Sequence, residues 1–235
     1  MEYNYNNAWE SVYGDIQQYG ATHKHLRRIV SNILRDINYK SFVDVGCGIG
    51  ANTSLLSKDK NISRMVGIDI SDKALNEARK KYNAEFTLMD IQKDCLDEKF
   101  DLVFCSLLLE HVLDDQIVLG HLYKMTGHYL LLATIGGNYE RYRKWDEKMG
   151  HVRNYIMPEL ESKLNKAGFK VIKNIQWGFP FFSPIGRLLQ NIRPEMGIGK
   201  YGLVAKTISN IMYWLGYLNS SKRGDLLVVL AEVDD

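Results

Sequence analysis

Three glycines with an acid beside them, two more distant aspartates and a histidine-rich stretch are the residues best suited to chemistry. The run Ser41-Phe42-Val43-Asp44-Val45 ends in Gly46-Cys47-Gly48-Ile49-Gly50. Alternating glycines allow positive φ and let backbone approach a ligand with no Cβ in the way. Asp69 lies 19 residues beyond Gly50, where a carboxylate can accept both hydroxyls of a ribose. Asp90 closes the next apolar run and is placed to accept from an exocyclic amine. Together the two describe an adenosine pocket, although a strand-end aspartate is also a common cap or turn residue. Asp44 stands inside an apolar run. Burying it requires a dedicated donor, either backbone N–H groups or a ligand ammonium.

These residues need elements to position them. Phe42, Val43 and Val45 read as a buried strand, and 51–58 as the helix after the glycine turn. A helix N-terminus then faces the ligand. Further strands are expected over 65–70, 85–89, 100–106, 129–134, 169–175 and 226–233. Helices are expected over 72–81 (Ser71 as N-cap), 112–125 and 158–166, the last opened by Pro158. Ile135 to Tyr155 reads as a long loop. Alternating strands and helices imply an α/β fold, a mostly parallel sheet covered on both faces. Right-handed crossovers bring the strand carboxyl ends to one edge, so Gly46, Asp69, Asp90 and Ser106 converge there.

That set of motifs resembles the class I S-adenosylmethionine (SAM)-dependent methyltransferases. The matching stretches are Val43–Gly50, Gly67-Ile68-Asp69-Ile70-Ser71, Leu88-Met89-Asp90, Phe100-Asp101-Leu102-Val103 and Glu110-His111-Val112-Leu113-Asp114. The resemblance covers about 40–175 and the last strand. It implies a Rossmann-like three-layer sandwich with seven strands in the order 3-2-1-4-5-7-6, the last antiparallel. It also implies SAM as cofactor. The glycines, Cys47 and Asp44 would cradle its methionine end, Asp69 its ribose and Asp90 its adenine amine, with Ile70 and Ile91 flanking the ring. Ser106 and His111 would complete the site. A nicotinamide dehydrogenase is the rival, because Gly46-x-Gly48-x-x-Ala51 meets a loose dinucleotide pattern. Asp44 within the motif and Asp90 beyond it argue against that rival.

Methyl transfer from a sulfonium is an in-line displacement, and a base is needed only for a protonated nucleophile. Gly150-His151-Val152-Arg153-Asn154-Tyr155 is similar to segments of small-molecule methyltransferases. His151 is the general-base candidate, since imidazole titrates near neutral pH. Arg153 could fork onto an acceptor carboxylate or phosphate, and Tyr155 joins them as a catalytic candidate. Glu110-His111 resembles the metal-binding pair of quinone-biosynthesis O-methyltransferases. The further glutamate of that motif is Leu107 here, so no metal is expected and the pair reads as a polar floor.

The 235 residues suit a single domain with a helical segment over 7–37 and a helical insertion over 177–225. Hydrophobic residues make up 46% and charged residues 25%, as in ordinary globular chains. A net charge of +2 gives no argument for nucleic acid. Three scattered cysteines, no signal-peptide core and no membrane-length apolar run lead us to expect a cytoplasmic protein. His23, Lys24, His25, Arg27 and Arg28 form either a solvated basic face or a helix lying over the cofactor. Between Gly178 and Gly224 there are six Lys or Arg and one acid, Glu195. A helical apolar stripe runs through Val204, Ile208, Ile211, Met212 and Leu215. This insertion reads as a substrate lid, a peripheral membrane contact or a homodimer helix. The expected activity is methylation of a partly apolar, partly anionic small molecule, slightly favouring oxygen. The alternative is a non-catalytic SAM- or nucleotide-binding subunit.

Overall fold

Residues 5–13, 15–58, 61–195 and 198–233 are described by a computed structural model of the chain. Seven apolar segments form the strands β1 (Ser41–Val45), β2 (Arg64–Asp69), β3 (Glu85–Leu88), β4 (Phe100–Ser106), β5 (Thr126–Ile135), β6 (Phe169–Trp177) and β7 (Leu226–Val233). They build one sheet in the order β3-β2-β1-β4-β5-β7-β6. Only β7 runs antiparallel, to both β5 and β6. β1 lies between β2 and β4, with Val45 opposite both Ile68 and Cys105. The sheet order and the direction of β7 are those implied by the motifs.

The helices are α1 (Tyr5–Ala8), α2 (Ile16–Tyr19), α3 (Ala21–Arg35), α4 (Thr53–Ser57), α5 (Asp72–Lys81), α6 (Asp115–Met125), α7 (Tyr139–Met149), α8 (Met157–Lys166), α9 (Arg187–Ile192) and α10 (Leu203–Gly216). Ser71 caps α5, its hydroxyl accepting from the Ala74 N–H. Asp114 caps α6 in the same way through the N–H groups of Gln116 and Ile117. Among the described helices, none is long and apolar enough to cross a membrane.

Three expectations change. The helix after the glycine turn shortens to Thr53–Ser57. The expected start at Val112 moves to Asp115, where Asp114 supplies the cap, and 109–111 forms a 3₁₀ turn instead. The expected loop 135–155 holds a full helix, α7, capped by Asn138 and ended by Gly150 at φ 80°. Its buried Tyr142, Trp145 and Met149 recur at helical spacing, but charges between them mask the stripe.

The insertion packs over the carboxyl edge. α10 lies on α3 through Gly216, at which a Cβ would strike the His25 ring. That ring is buried, stacks on Trp177 at 4.6 Å, and bonds the Tyr213 carbonyl through Nε2 at 2.7 Å. Glycine inside a helix normally costs stability relative to alanine. Here the sign should reverse. Gly216→Ala should lower unfolding free energy by about 1–3 kcal/mol, read as a fall in thermal midpoint, because His25 has no room to move.

Candidate active site

A cavity of about 770 Å³ opens at the carboxyl ends of the central strands. Its floor comes from the turns after β1, β2 and β4 and from the loop after β3. Its roof comes from the N-terminal segment, α3, α7 and the insertion.

The glycine turn forms because the chain must reverse tightly out of β1. Gly46, Gly48 and Gly50 take φ of 73°, 53° and 78°, which side chains rarely adopt. Their tasks differ. Gly46 lines the cavity. A Cβ on Gly48 would strike the Trp9 indole and Gln17 of the N-terminal segment, and one on Gly50 would strike Tyr82. Gly50 thus serves packing of the turn against the end of α5. Cys47 is buried beside Leu75, Ala78 and Phe86, facing the α5 layer.

Asp69 lines the cavity, and its two oxygens accept from the N–H groups of Gly48 and Ser71, both at 2.8 Å. Each oxygen keeps a lone pair for a further donor. Burial raises its pKa. Asp90 also lines the cavity, its oxygens held by the Gln92 N–H and by Lys93. Ile70, Ile91, Ser106 and His111 line it as well.

Asp44 accepts from the Thr53 hydroxyl at 2.8 Å, a donor that lies nine residues along the chain. Buried in β1, it is pushed up to about 7 by desolvation.

The sequence segment 150–155 divides in two. His151 lines the cavity, its Nδ1 lying 2.9 Å from Asp146 Oδ1. Asp146 is fully buried and also accepts from Asn154 and, through both oxygens, from Arg187 Nη2 at 2.8 Å. A carboxylate gripped by a guanidinium accepts only, so Nδ1 carries the proton and His151 Nε2 is left free to act. Arg153 and Tyr155 are withheld from the cavity. Arg153 pairs with Asp115 at 2.8 Å and bonds the Leu113 carbonyl. The Tyr155 hydroxyl donates to Asp115 and the Leu109 carbonyl, and burial followed by the Asp115 charge pushes its phenol up. Both therefore brace α6, because Tyr155 pairs with the chain leaving β5 and packs into the core that α6 covers.

Glu110 and His111 sit against His151. Ligand atoms of the three lie within 4.8 Å of one another. Glu110 Oε2 accepts from the Thr134 hydroxyl, and its buried Oε1 has no hydrogen-bond partner. His111 pairs its Nδ1 with the Gly150 carbonyl at 3.1 Å; burial, then His151, lower its pKa to about 3. A third group able to ligate a cation, absent at Leu107, thus stands at His151, 41 positions beyond Glu110.

Sequence reading overlooked the roof residues. Tyr5, Trp9, Tyr13 and Gln17 line the cavity, and Tyr5 and Tyr13 set their ring edges against His111. The basic cluster on α3 splits. His23 and Arg27 line the cavity, with His23 lowered to about 3 by burial and then Arg27, while His25 is buried under α10. Arg187 had no signal in sequence, being one cation among six in the insertion.

Comparison with known proteins agrees with this geometry. The family described as "Methyltransferase domain" matches residues 18–174. A ubiquinone biosynthesis O-methyltransferase from Hydrogenovibrio crunogenus is 27% identical over 150 residues, covering 59% of this chain and 61% of that protein. A juvenile hormone acid O-methyltransferase from Bombyx mori is 27% identical over 158 residues, covering 56% and 57%. The chain thus spans little more than half the length of these relatives. Among solved structures, magnesium protoporphyrin IX methyltransferase from Synechocystis PCC 6803 with bound SAM has a TM-score of 0.58 at 16% identity, covering 90% of this chain and 80% of that one. An N-methyltransferase from Bradyrhizobium japonicum WM9 with S-adenosyl-l-homocysteine has a TM-score of 0.61 at 14% identity, covering 93% and 91%.

Asp44 makes one test possible without any ligand. Its folded pKa, about 7, stands above its ordinary value of 3.8. The fold therefore favours the protonated form, and that contribution is present in acid and lost as pH rises from about 4 to 7. Ligand-free wild type should lose up to roughly 1.4 kcal/mol per pH unit across that window relative to Asp44→Asn, an upper bound. Urea unfolding of both proteins at several pH values measures it.

With the glycine turn, Asp69 and the strand order on one sheet edge, and with the family match across two-thirds of its length, this chain belongs to the methyltransferase-domain family.

Proposed function

We propose that this methyltransferase takes its methyl group from SAM held over the glycine turn and passes it to an oxygen of a small, partly apolar and partly anionic acceptor. The observation that carries this reading is the pairing of Asp69 with His151 across one cavity. The residues fit the cofactor. Gly46 borders the cavity, its missing side chain making way for Leu108, and Asp69 keeps acceptor capacity on both oxygens. Asp90, Ile70 and Ile91 are placed for the adenine. When bound, SAM supplies an electrophilic methyl on a sulfonium.

The chain's own residues do the rest. Trp9 and Gln17 close over the glycine turn and exclude water. Arg27 offers a cation at the cavity wall. His151, its Nδ1–H given to Asp146, presents Nε2 as the atom that removes a hydroxyl proton. The apolar rings and side chains of the roof accommodate the rest of the acceptor. An acid acceptor, as in the name of the Bombyx mori relative, would need no base but would suit the cationic wall.

Calorimetry with SAM, and with NAD as control, tests the reading. Asp69→Ala should cost at least about a hundredfold in SAM affinity, as expected for two lost hydrogen bonds to a charged group. His151→Ala should leave that affinity unchanged and slow transfer to a hydroxyl acceptor by about 10²–10⁴. A chain that binds SAM but whose His151→Ala variant behaves as wild type in every respect would support the non-catalytic subunit instead.

A second reading rests on the orphaned Glu110 Oε1. With His111 and His151 it has the donor set of a divalent site, and both imidazoles are oriented through Nδ1 by an acceptor. Such a cation would bind the acceptor oxygen and lower its pKa. Titration with Zn²⁺ or Mn²⁺ should then show one site that Glu110→Gln removes. No heat with either ion would leave His151 to act as a base.

A further inference from the structure

We propose that the outer faces of α9 and α10 form a docking surface for an anionic lipid bilayer, and that the cavity opens onto it. This goes beyond the assignment of cofactor and base and does not depend on either.

The outward face of α10 is apolar where a surface helix is normally polar. Leu203 is 83% exposed, Ile211 55%, Trp214 70% and Leu218 68%. Leu203, Ile211 and Trp214 share one side of the helix, opposite Ser209 and Gly216, which are buried against the neighbouring helices, and Leu218 follows in the turn after it. Ile192 at the end of α9 is also exposed, at 64%. Large apolar side chains left exposed on one helix face mark an interaction site.

Charge selects the occupant. Lys200 precedes α10 and Lys222 and Arg223 follow it, all exposed, so cations flank the apolar stretch at both ends. Arg193 is exposed after α9. The lone acid of the insertion before Gly224, Glu195, is paired with Lys148. Apolar side chains between cations, with a tryptophan among them, suit a helix lying in the headgroup region. Self-association through this face is disfavoured. A two-fold contact would set each cation against cations of its copy with no free acid to offset them.

The face is continuous with the cavity. Leu189, Val204 and Ile208 line the cavity and are also 51%, 73% and 46% exposed, which places them at its mouth. A partly apolar acceptor could therefore enter from the bilayer without crossing water.

Vesicle flotation tests this with the full chain. The wild type should float with phosphatidylcholine vesicles containing phosphatidylglycerol and stay behind with phosphatidylcholine alone. Salt should weaken the binding. The double variant Ile211→Glu/Trp214→Glu should lose about tenfold or more in vesicle affinity, with thermal midpoint and SAM affinity as in wild type. No flotation of wild type, equal flotation of the variant, or equal flotation on uncharged vesicles would overturn the proposal. So would a solution dimer, seen by sedimentation velocity without lipid, that the double variant abolishes. Failure of SAM binding would leave this result untouched, so the two readings fail separately.

Discussion

One buried carboxylate joins the parts of this molecule. Asp146, on α7, takes a two-pronged grip from Arg187 of the insertion, a bond from Asn154 and one from the His151 ring. Arg187 also bonds the Gly136 carbonyl at the end of β5 and lies over the Tyr142 ring. Roof, sheet edge and His151 are therefore joined through one carboxylate. Breaking a buried pair by removing one partner costs about 3–5 kcal/mol, because the other charge is left uncompensated. The docking of the insertion is thus coupled to the tautomer of His151, and the cavity is complete only when α9 is in place.

Two kinds of polar group meet around the cavity. Asp69 is polarised towards backbone N–H groups and keeps room for a ligand's hydroxyls. Glu110, His111 and His151 instead spend their outer atoms on protein partners and turn the remaining ones towards each other. The first arrangement leaves acceptors free, and the second brings three titratable groups together. Aromatic side chains of the N-terminal segment lie over parts of both, Trp9 against Gly48 of the glycine turn and Tyr5 and Tyr13 against His111.

The outside of the roof obeys a different constraint. α10 uses its small and polar residues, Gly216 and Ser209, to approach α3 and the α2 end. Its large apolar residues are left outward. A helix that packs through its small side and exposes its large side is built to meet a second apolar phase, and the flanking cations fit an anionic one.

The local pattern determined much of this protein by itself. Apolar runs of strand length, the glycine turn and the Ser71 cap act over a few residues, so their spacing sufficed for the strands and for Asp69 at the carboxyl edge, whereas the sheet order came from the resemblance the motifs carry. Asp90 and Ser106 followed as strand ends, and Ile70, Ile91 and His111 from the resemblance. Only the tertiary structure decided the partners. Asp44 takes its protein donor from Thr53. Arg153 and Tyr155 stand two and four residues from His151, yet turn to Asp115. Arg187 lies 41 residues from Asp146, and the third possible metal ligand lies far from Glu110 in the chain. Spacing specifies which side of an element a residue takes. Which distant charge it meets depends on how whole elements pack, and burial then makes that meeting obligatory.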